Sequence, residues 1–195
     1  PNVMLDRLSL SEERIHNMAD GVRKVARLAD PVGEVLSGYT LVNGLKIRKE
    51  RVPLGIVGMI YESRPNVTVD AAVLCLKASN AVLLRGGKEA IYTNITLTRI
   101  MQHALEEEGM NPDILLLVED TSRQSATEMM KLNGYLDVLI PRGGQGLIRS
   151  VVENATVPVI ETGAGNCHIY IDAEADLEMG VNIVYNAKTS RPSVC

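Results

Sequence analysis

Two groups of residues in this sequence have types and spacing suited to chemistry: a cysteine in a polar segment, and a set of turns that carry glycines and cations. Cys195 follows Arg191-Pro-Ser-Val. A loop cysteine beside a cation becomes a nucleophile when its pKa falls below the free value of about 8.5. An inert loop cysteine fits the same position, and spacing alone leaves both readings open. Cys75 lies in the apolar run 71–76 and reads as core. Cys167 precedes His168, but adjacent strand residues point to opposite faces, which argues against a working Cys–His pair. Three separated cysteines without a Cys-x-x-Cys pair predict neither a disulfide framework nor a metal site, and they fit a reducing cytoplasm. His16 and His103 fall in helical stretches and read as surface residues.

The turns are Tyr61-Glu-Ser-Arg-Pro-Asn66, Arg85-Gly-Gly-Lys88, Pro141-Arg-Gly-Gly-Gln-Gly146 and Glu161-Thr-Gly-Ala-Gly-Asn166. Backbone N–H groups and cations at such places suit an anion such as phosphate. Each glycine cluster alone also describes an ordinary strand-to-helix turn; four along one sheet edge point to a binding edge. Gly-x-Gly-x-x-Gly occurs nowhere, because Gly163-Ala-Gly165 meets His168 at the required position. No GxxxxGK[ST] loop occurs either, so a nucleotide site here needs another phosphate grip.

One parallel sheet would bring these turns together. Short runs of Val, Ile and Leu at 55–61, 81–85, 114–118, 137–140 and 157–161 alternate with helical stretches near 66–79, 89–108, 122–132 and 144–154. Continuous apolar strands separated by helices predict a parallel sheet covered on both faces. Right-handed crossovers then give a doubly wound α/β domain. A further strand at 168–172 and a helix near 175–187 are expected. Upstream, Ile15, Met18, Val22, Val25, Ala26 and Ala29 recur at helical spacing over 12–29. Ser9 or Ser11 is the expected cap, and Asp30-Pro31 the stop. Residues 45–52 read as an exposed strand whose Lys46, Arg48, Lys49 and Arg51 form a solvated edge. The organisation expected is an N-terminal helix and edge strands over 1–54 and a doubly wound core over 55–195.

Composition agrees. Of 195 residues, 46% are hydrophobic and 23% charged, enough to bury a core and unlike a disordered chain. With no Phe or Trp and six Tyr, that core is aliphatic. A net charge of −4 argues against nucleic acid as partner. The apolar runs are far shorter than the roughly 20 residues of a membrane span, and no segment reads as a signal peptide.

From Tyr61-Glu-Ser-Arg-Pro-Asn-Val-Thr68 onward the chain resembles the gamma-glutamyl phosphate reductases, a family of the aldehyde dehydrogenase superfamily. Supporting stretches are Arg51-Val-Pro-Leu-Gly55, Ala81-Val-Leu-Leu-Arg-Gly-Gly-Lys-Glu-Ala90, Leu139-Ile-Pro-Arg-Gly-Gly144, Ile160-Glu-Thr-Gly163, Gly165-Asn-Cys-His168 and Arg191-Pro-Ser-Val-Cys195. The resemblance covers essentially the whole chain. It implies an aldehyde dehydrogenase-like nucleotide-binding domain, doubly wound and without the usual glycine fingerprint. It implies Cys195 as nucleophile and Asn66 as oxyanion donor. It puts the cofactor NADP against Ser63 and Arg64; against Arg85, Gly86, Gly87 and Lys88, where two cations suit a ribose 2′-phosphate; against Arg142, Gly143 and Gly144; and against Glu161 and Gly163. Glu161 matches the glutamate that activates water in hydrolytic relatives, a role the implied reduction does not need.

The implied reaction is reduction of L-glutamate 5-phosphate to L-glutamate 5-semialdehyde by NADPH, through a cysteine thioacyl intermediate, in proline biosynthesis. The implied partners are that small substrate, a second copy of the full-length enzyme, and glutamate 5-kinase, with no nucleic acid and no membrane. Family members are longer, so the chain is expected to be an interior piece lacking the C-terminal catalytic domain, with weak NADP binding and little turnover alone. Two other readings stay open: an NAD-dependent aldehyde dehydrogenase of another substrate, and a nucleotide-binding module without turnover.

Overall fold

Runs of aliphatic residues with no polar face must be buried on both sides, and four of them lie side by side in one parallel sheet. These are β3 (Ile56–Tyr61), β4 (Ala81–Arg85), β5 (Leu115–Leu117) and β6 (Val138–Arg142), in the order β5-β4-β3-β6. The computed structural model describes residues 4–5, 8–161, 163 and 165–190. Residues 8–162 form one compact unit and the rest of the chain another.

The register runs from Ile56 beside Ala81 to Ile60 beside Arg85, and from Val57 beside Val138 to Tyr61 beside Arg142. The fifth expected strand, 157–161, contributes a single bridge from Val159 to Leu139. The Leu139 N–H donates to Pro158 O at 2.8 Å and the Ile160 N–H to Leu139 O at 3.0 Å. Pro158 has no N–H of its own to extend that ladder. The spatial order of the five segments reverses between β3 and β6, which is where doubly wound sheets open a crevice at their carboxyl ends.

Helices cover both faces. Helices α2 (Pro65–Lys77) and α3 (Ile91–Glu107) lie on one, α4 (Arg123–Met129) and α5 (Gln145–Asn154) on the other. Alternate residues of the strands point to opposite faces. Val57, Tyr61, Val82, Leu84 and Val138 meet Ala71, Ala72 and Cys75 of α2, while Ile60 and Leu139 meet Met129, Met130, Leu136 and Val151. Gly58 belongs to the second face: a Cβ there would come within 2.7 Å of Leu136 Cδ1 and 2.8 Å of Leu139 Cδ1. The helices stop at or short of the expected ends. After Met129 the chain tightens into a turn, with the Lys131 N–H on Glu128 O at 2.9 Å.

Helix α1 (Glu12–Ala26) starts at Ser11, whose hydroxyl accepts the Arg14 N–H at 3.3 Å. It ends three residues before the expected stop, and the Lys77 ammonium of α2 donates to its last carbonyl, Ala26 O, at 3.2 Å. The exposed strand β2 (Lys46–Glu50) has a partner that was not expected, β1 (Val35–Thr40). The two form a separate antiparallel hairpin closed by Asn43-Gly44, with Gly44 at φ +86°. Asn-Gly between two strand-forming runs is the signal that would have found it.

In the second unit, α6 (Leu177–Thr189) is capped by Asp176, whose carboxylate accepts the Glu178 and Met179 N–H groups at 2.9 and 3.1 Å. Residues 168–172 are not a strand: they pair with no strand among the described residues. The apolar alternation of Ile169 and Ile171 instead packs Ile171 under Gly180 of α6, with 3.2 Å to the position of a Cβ. Among the described residues no helix is long and apolar enough to cross a membrane.

Candidate functional site

The carboxyl ends of β3, β4 and β6 bring three of the four expected turns to one edge of the sheet. After β3, the Glu62 N–H donates to Arg142 O at 3.1 Å, so the first and third turns touch at the crevice itself. Ser63 is buried, and its hydroxyl donates to Glu89 Oε2 at 2.8 Å, which ties the first turn to the second. The Glu89 N–H, then that Ser63 bond, then the nearby Lys88 and Arg85 charges hold the Glu89 carboxyl below its ordinary pKa against the effect of burial. Arg64 is exposed and Pro65 opens α2, a position where its missing N–H costs nothing. Asn66, the expected oxyanion donor, is exposed in the first turn of α2, and its amide donates to Asp70 Oδ2 at 3.1 Å.

The second turn is packed from beneath. A Cβ on Gly86 would collide with the Asn94 amide and lie 3.1 Å from the Tyr61 ring; one on Gly87 would sit 3.1 Å from Ser63 Oγ. Lys88 is exposed at the start of a short 3-10 turn, Lys88–Ala90. Arg85 faces elsewhere. Its Nη2 donates to Thr121 O at 2.8 Å and to Ser122 O at 2.7 Å, in the turn between β5 and α4. Burial lowers its pKa, opposed by the carboxylates of Asp120 and Glu89.

The third turn leads into α5. Gly144 is its N-cap and supplies no side-chain cap, so the helix start is open to an anion. Gly143 carries the side chain of Glu62 across it, 2.7 Å from where a Cβ would stand. Arg142, Gly143 and Gly144 are all exposed. Glu161 is exposed at the end of the segment bridged to β6. Gly163 is exposed and belongs to the other unit, and Cys195 lies outside the described residues. Cys75 is core as expected, and burial pushes its thiol up to about 11. Cys167 is exposed. Among the described residues no cluster could hold a metal ion.

One set of residues was not anticipated. The Tyr61 hydroxyl donates to Thr68 Oγ1 at 2.7 Å, and Thr68 donates to Asn94 Oδ1 at 3.0 Å. Burial pushes Tyr61 up to about 12. Thr68 and Asn94 are fully buried, and the chain they form joins β3, α2 and α3 directly under Gly86. In the sequence both are polar residues in helical stretches, a pattern that ordinarily marks a solvent face.

Comparison with known proteins agrees with this architecture. The sequence profile of the aldehyde dehydrogenase family matches residues 6–191. The gamma-glutamyl phosphate reductase of Clostridium perfringens is 62% identical over 194 residues, all of this chain and 47% of that protein. The crystal structure of the Thermotoga maritima gamma-glutamyl phosphate reductase superposes with a TM-score of 0.89 at 46% identity, covering 100% of this chain and 47% of that one. The Saccharomyces cerevisiae enzyme of the same name superposes at 0.75 with 31% identity, covering 97% of this chain and 48% of that one. The chain thus spans about half the length of the curated relatives it matches. With the profile match running nearly from end to end and the doubly wound sheet in place, the chain belongs to the aldehyde dehydrogenase family.

Proposed function

We propose that this chain is the NADP-binding part of a gamma-glutamyl phosphate reductase, which reduces L-glutamate 5-phosphate to L-glutamate 5-semialdehyde and releases phosphate. The observation that carries this reading is the 62% identity to a reductase of that name across the whole chain, all four turns included. The edge described above fits a phosphorylated dinucleotide. Lys88 is an exposed cation at the second turn, where an adenosine 2′-phosphate would lie. The uncapped start of α5 offers amides for the pyrophosphate beside Arg142, Gly143 and Gly144 once the Glu62 side chain, which lies across Gly143, swings away. Ser63 and Arg64 flank the same crevice. An exposed cation at the ribose turn also favours NADP over the NAD-dependent alternative.

In this reading the Cys195 thiolate attacks the acyl carbon of glutamyl phosphate, and the C–O bond to phosphate breaks as phosphate leaves with its electron pair. The thioester that results divides one hard reduction into two easier steps. Asn66 donates its amide to the developing oxyanion; one such donor is worth about 2.7–4 kcal/mol. NADPH, when bound, supplies the hydride. Glu161 lines the nicotinamide end and activates no water, because water attack on the thioester would waste it. The C–S bond of the thiohemiacetal then breaks, the aldehyde leaves, and Cys195 regains its thiolate. The place of such an enzyme is cytoplasmic, in proline biosynthesis, downstream of a glutamate kinase.

The test is NADPH oxidation by the complete gene product with glutamyl phosphate. C195S is expected to abolish it and E161Q to retain it with a raised cofactor KM. Reduction that survives C195S, or no phosphate-dependent reaction in the unmodified protein, would overturn the reading.

A further inference from the structure

We propose that Arg85 is a positioning residue rather than a phosphate-binding cation: its guanidinium fastens the 119–122 turn to the end of β4 and so builds one wall of the adenosine-ribose site. The proposal rests on the cofactor reading above and departs from the expectation that Arg85 and Lys88 share the 2′-phosphate. Arg85 closes β4, where its backbone pairs with Ile60 of β3. From there Nη2 donates to two consecutive carbonyls, Thr121 O at 2.8 Å and Ser122 O at 2.7 Å. Backbone carbonyls are the donor-hungry ends of a turn, and a guanidinium is the side chain whose fixed fork meets two acceptors at once.

The turn it holds is highly ordered by short-range bonds. Asp120 accepts the Ser122 N–H and hydroxyl, each at 2.8 Å. Ser122 in turn caps α4 by accepting the Ser125 N–H at 3.1 Å, and the Ser125 hydroxyl donates to Asp120 O at 2.7 Å. Every one of these bonds is local to residues 120–125, so they shape the turn without placing it. The Val118 N–H, just before the turn, donates to Leu84 O of β4 at 2.8 Å and Glu119 lies 4.0 Å from Arg99, and Arg85 adds two long-range bonds to Thr121 and Ser122. Both Nη2 donors are thus committed to the turn, Nε is buried with no partner among the described residues, and Lys88 is the exposed cation of the Arg85–Lys88 turn.

The test compares R85M, R85K and the unmodified complete gene product with NADPH and NADH, and follows amide exchange without cofactor. R85M is expected to raise KM for both cofactors about tenfold, the scale of lost charged hydrogen bonds. Their ratio should stay within about twofold and kcat should change little. Exchange at Ser122 and Ser125 should quicken, and R85K should slow it again. A tenfold or greater loss with NADPH over that with NADH would overturn the proposal by making Arg85 a phosphate ligand. Unchanged exchange at Ser122 and Ser125 in R85M would overturn it as well. If the unmodified protein binds neither dinucleotide, the functional reading fails, and exchange still decides whether Arg85 holds the turn. R85K carries the comparison if R85M does not fold.

Discussion

Thr68 is a two-sided hydrogen-bonding group at the centre of a dry region. It accepts from Tyr61 and donates to Asn94, and none of the three side chains touches water. Valine has the shape of threonine without the hydroxyl, so T68V keeps the packing and strands a donor and an acceptor. Leaving a buried polar group unpaired costs about 1–3 kcal/mol. T68V is therefore expected to lower stability by about 2 kcal/mol or more, read from the denaturant midpoint at unchanged slope. The Asn94 amide, lodged against Gly86, would lose its orientation at the same time. At this scale Arg85 teaches the complementary lesson: a cation next to a glycine turn is not thereby a ligand-binding cation, because backbone carbonyls can claim it first.

At the scale of elements, the sheet is held in register by close approach as much as by aliphatic bulk. Gly58 in the middle of β3 lets Leu136, Leu139 and Met129 close over the strand. G58V fills space those side chains already occupy, and overpacking of that kind costs about 1–3 kcal/mol. A fall of that size in unfolding free energy, with the hairpin β1–β2 unaffected in amide exchange, is the expected result. The hairpin lies outside the parallel sheet and buries almost nothing: only Ile47 is even partly buried in β2, and all of β1 is exposed, Val35, Leu36 and Tyr39 included. The sequence pattern revealed β2 by its bases and missed β1, although Asn43-Gly44 announced a two-strand turn. The expected strand at 168–172 failed for the opposite reason. Alternation there was real, but alternation serves packing on a helix as well as pairing in a sheet, and Ile171 meets Gly180 of α6.

For the whole molecule, the cofactor proposal turns on one exposed charge. K88E replaces a cation at the ribose turn with a carboxylate that repels a 2′-phosphate and can accept from ribose hydroxyls. It is expected to reverse the NADPH preference of the complete gene product, moving the ratio of kcat/KM values by about a hundredfold, the scale of two charge-assisted contacts. The measurement is steady-state kinetics with both cofactors. A K88E protein that keeps its preference would move the phosphate site away from the second turn.

What the sequence alone determined is the four strands of the parallel sheet, the helices between them and the location of their turns. Each is encoded locally: aliphatic runs without a polar face must be buried on both sides, and glycine, proline and asparagine mark where they end. Those local signals also suffice for the doubly wound class, because right-handed crossovers leave few ways to stack alternating strands and helices. The long specific stretches that resemble the reductases added the expected roles. Only the tertiary structure decided which neighbours each polar side chain would meet. Arg85 finds Thr121 and Ser122 on a different strand's turn, Ser63 finds Glu89, and Thr68 finds Asn94. Hydrogen-bond partners brought together across a sheet are set by strand order, which no window along the chain contains.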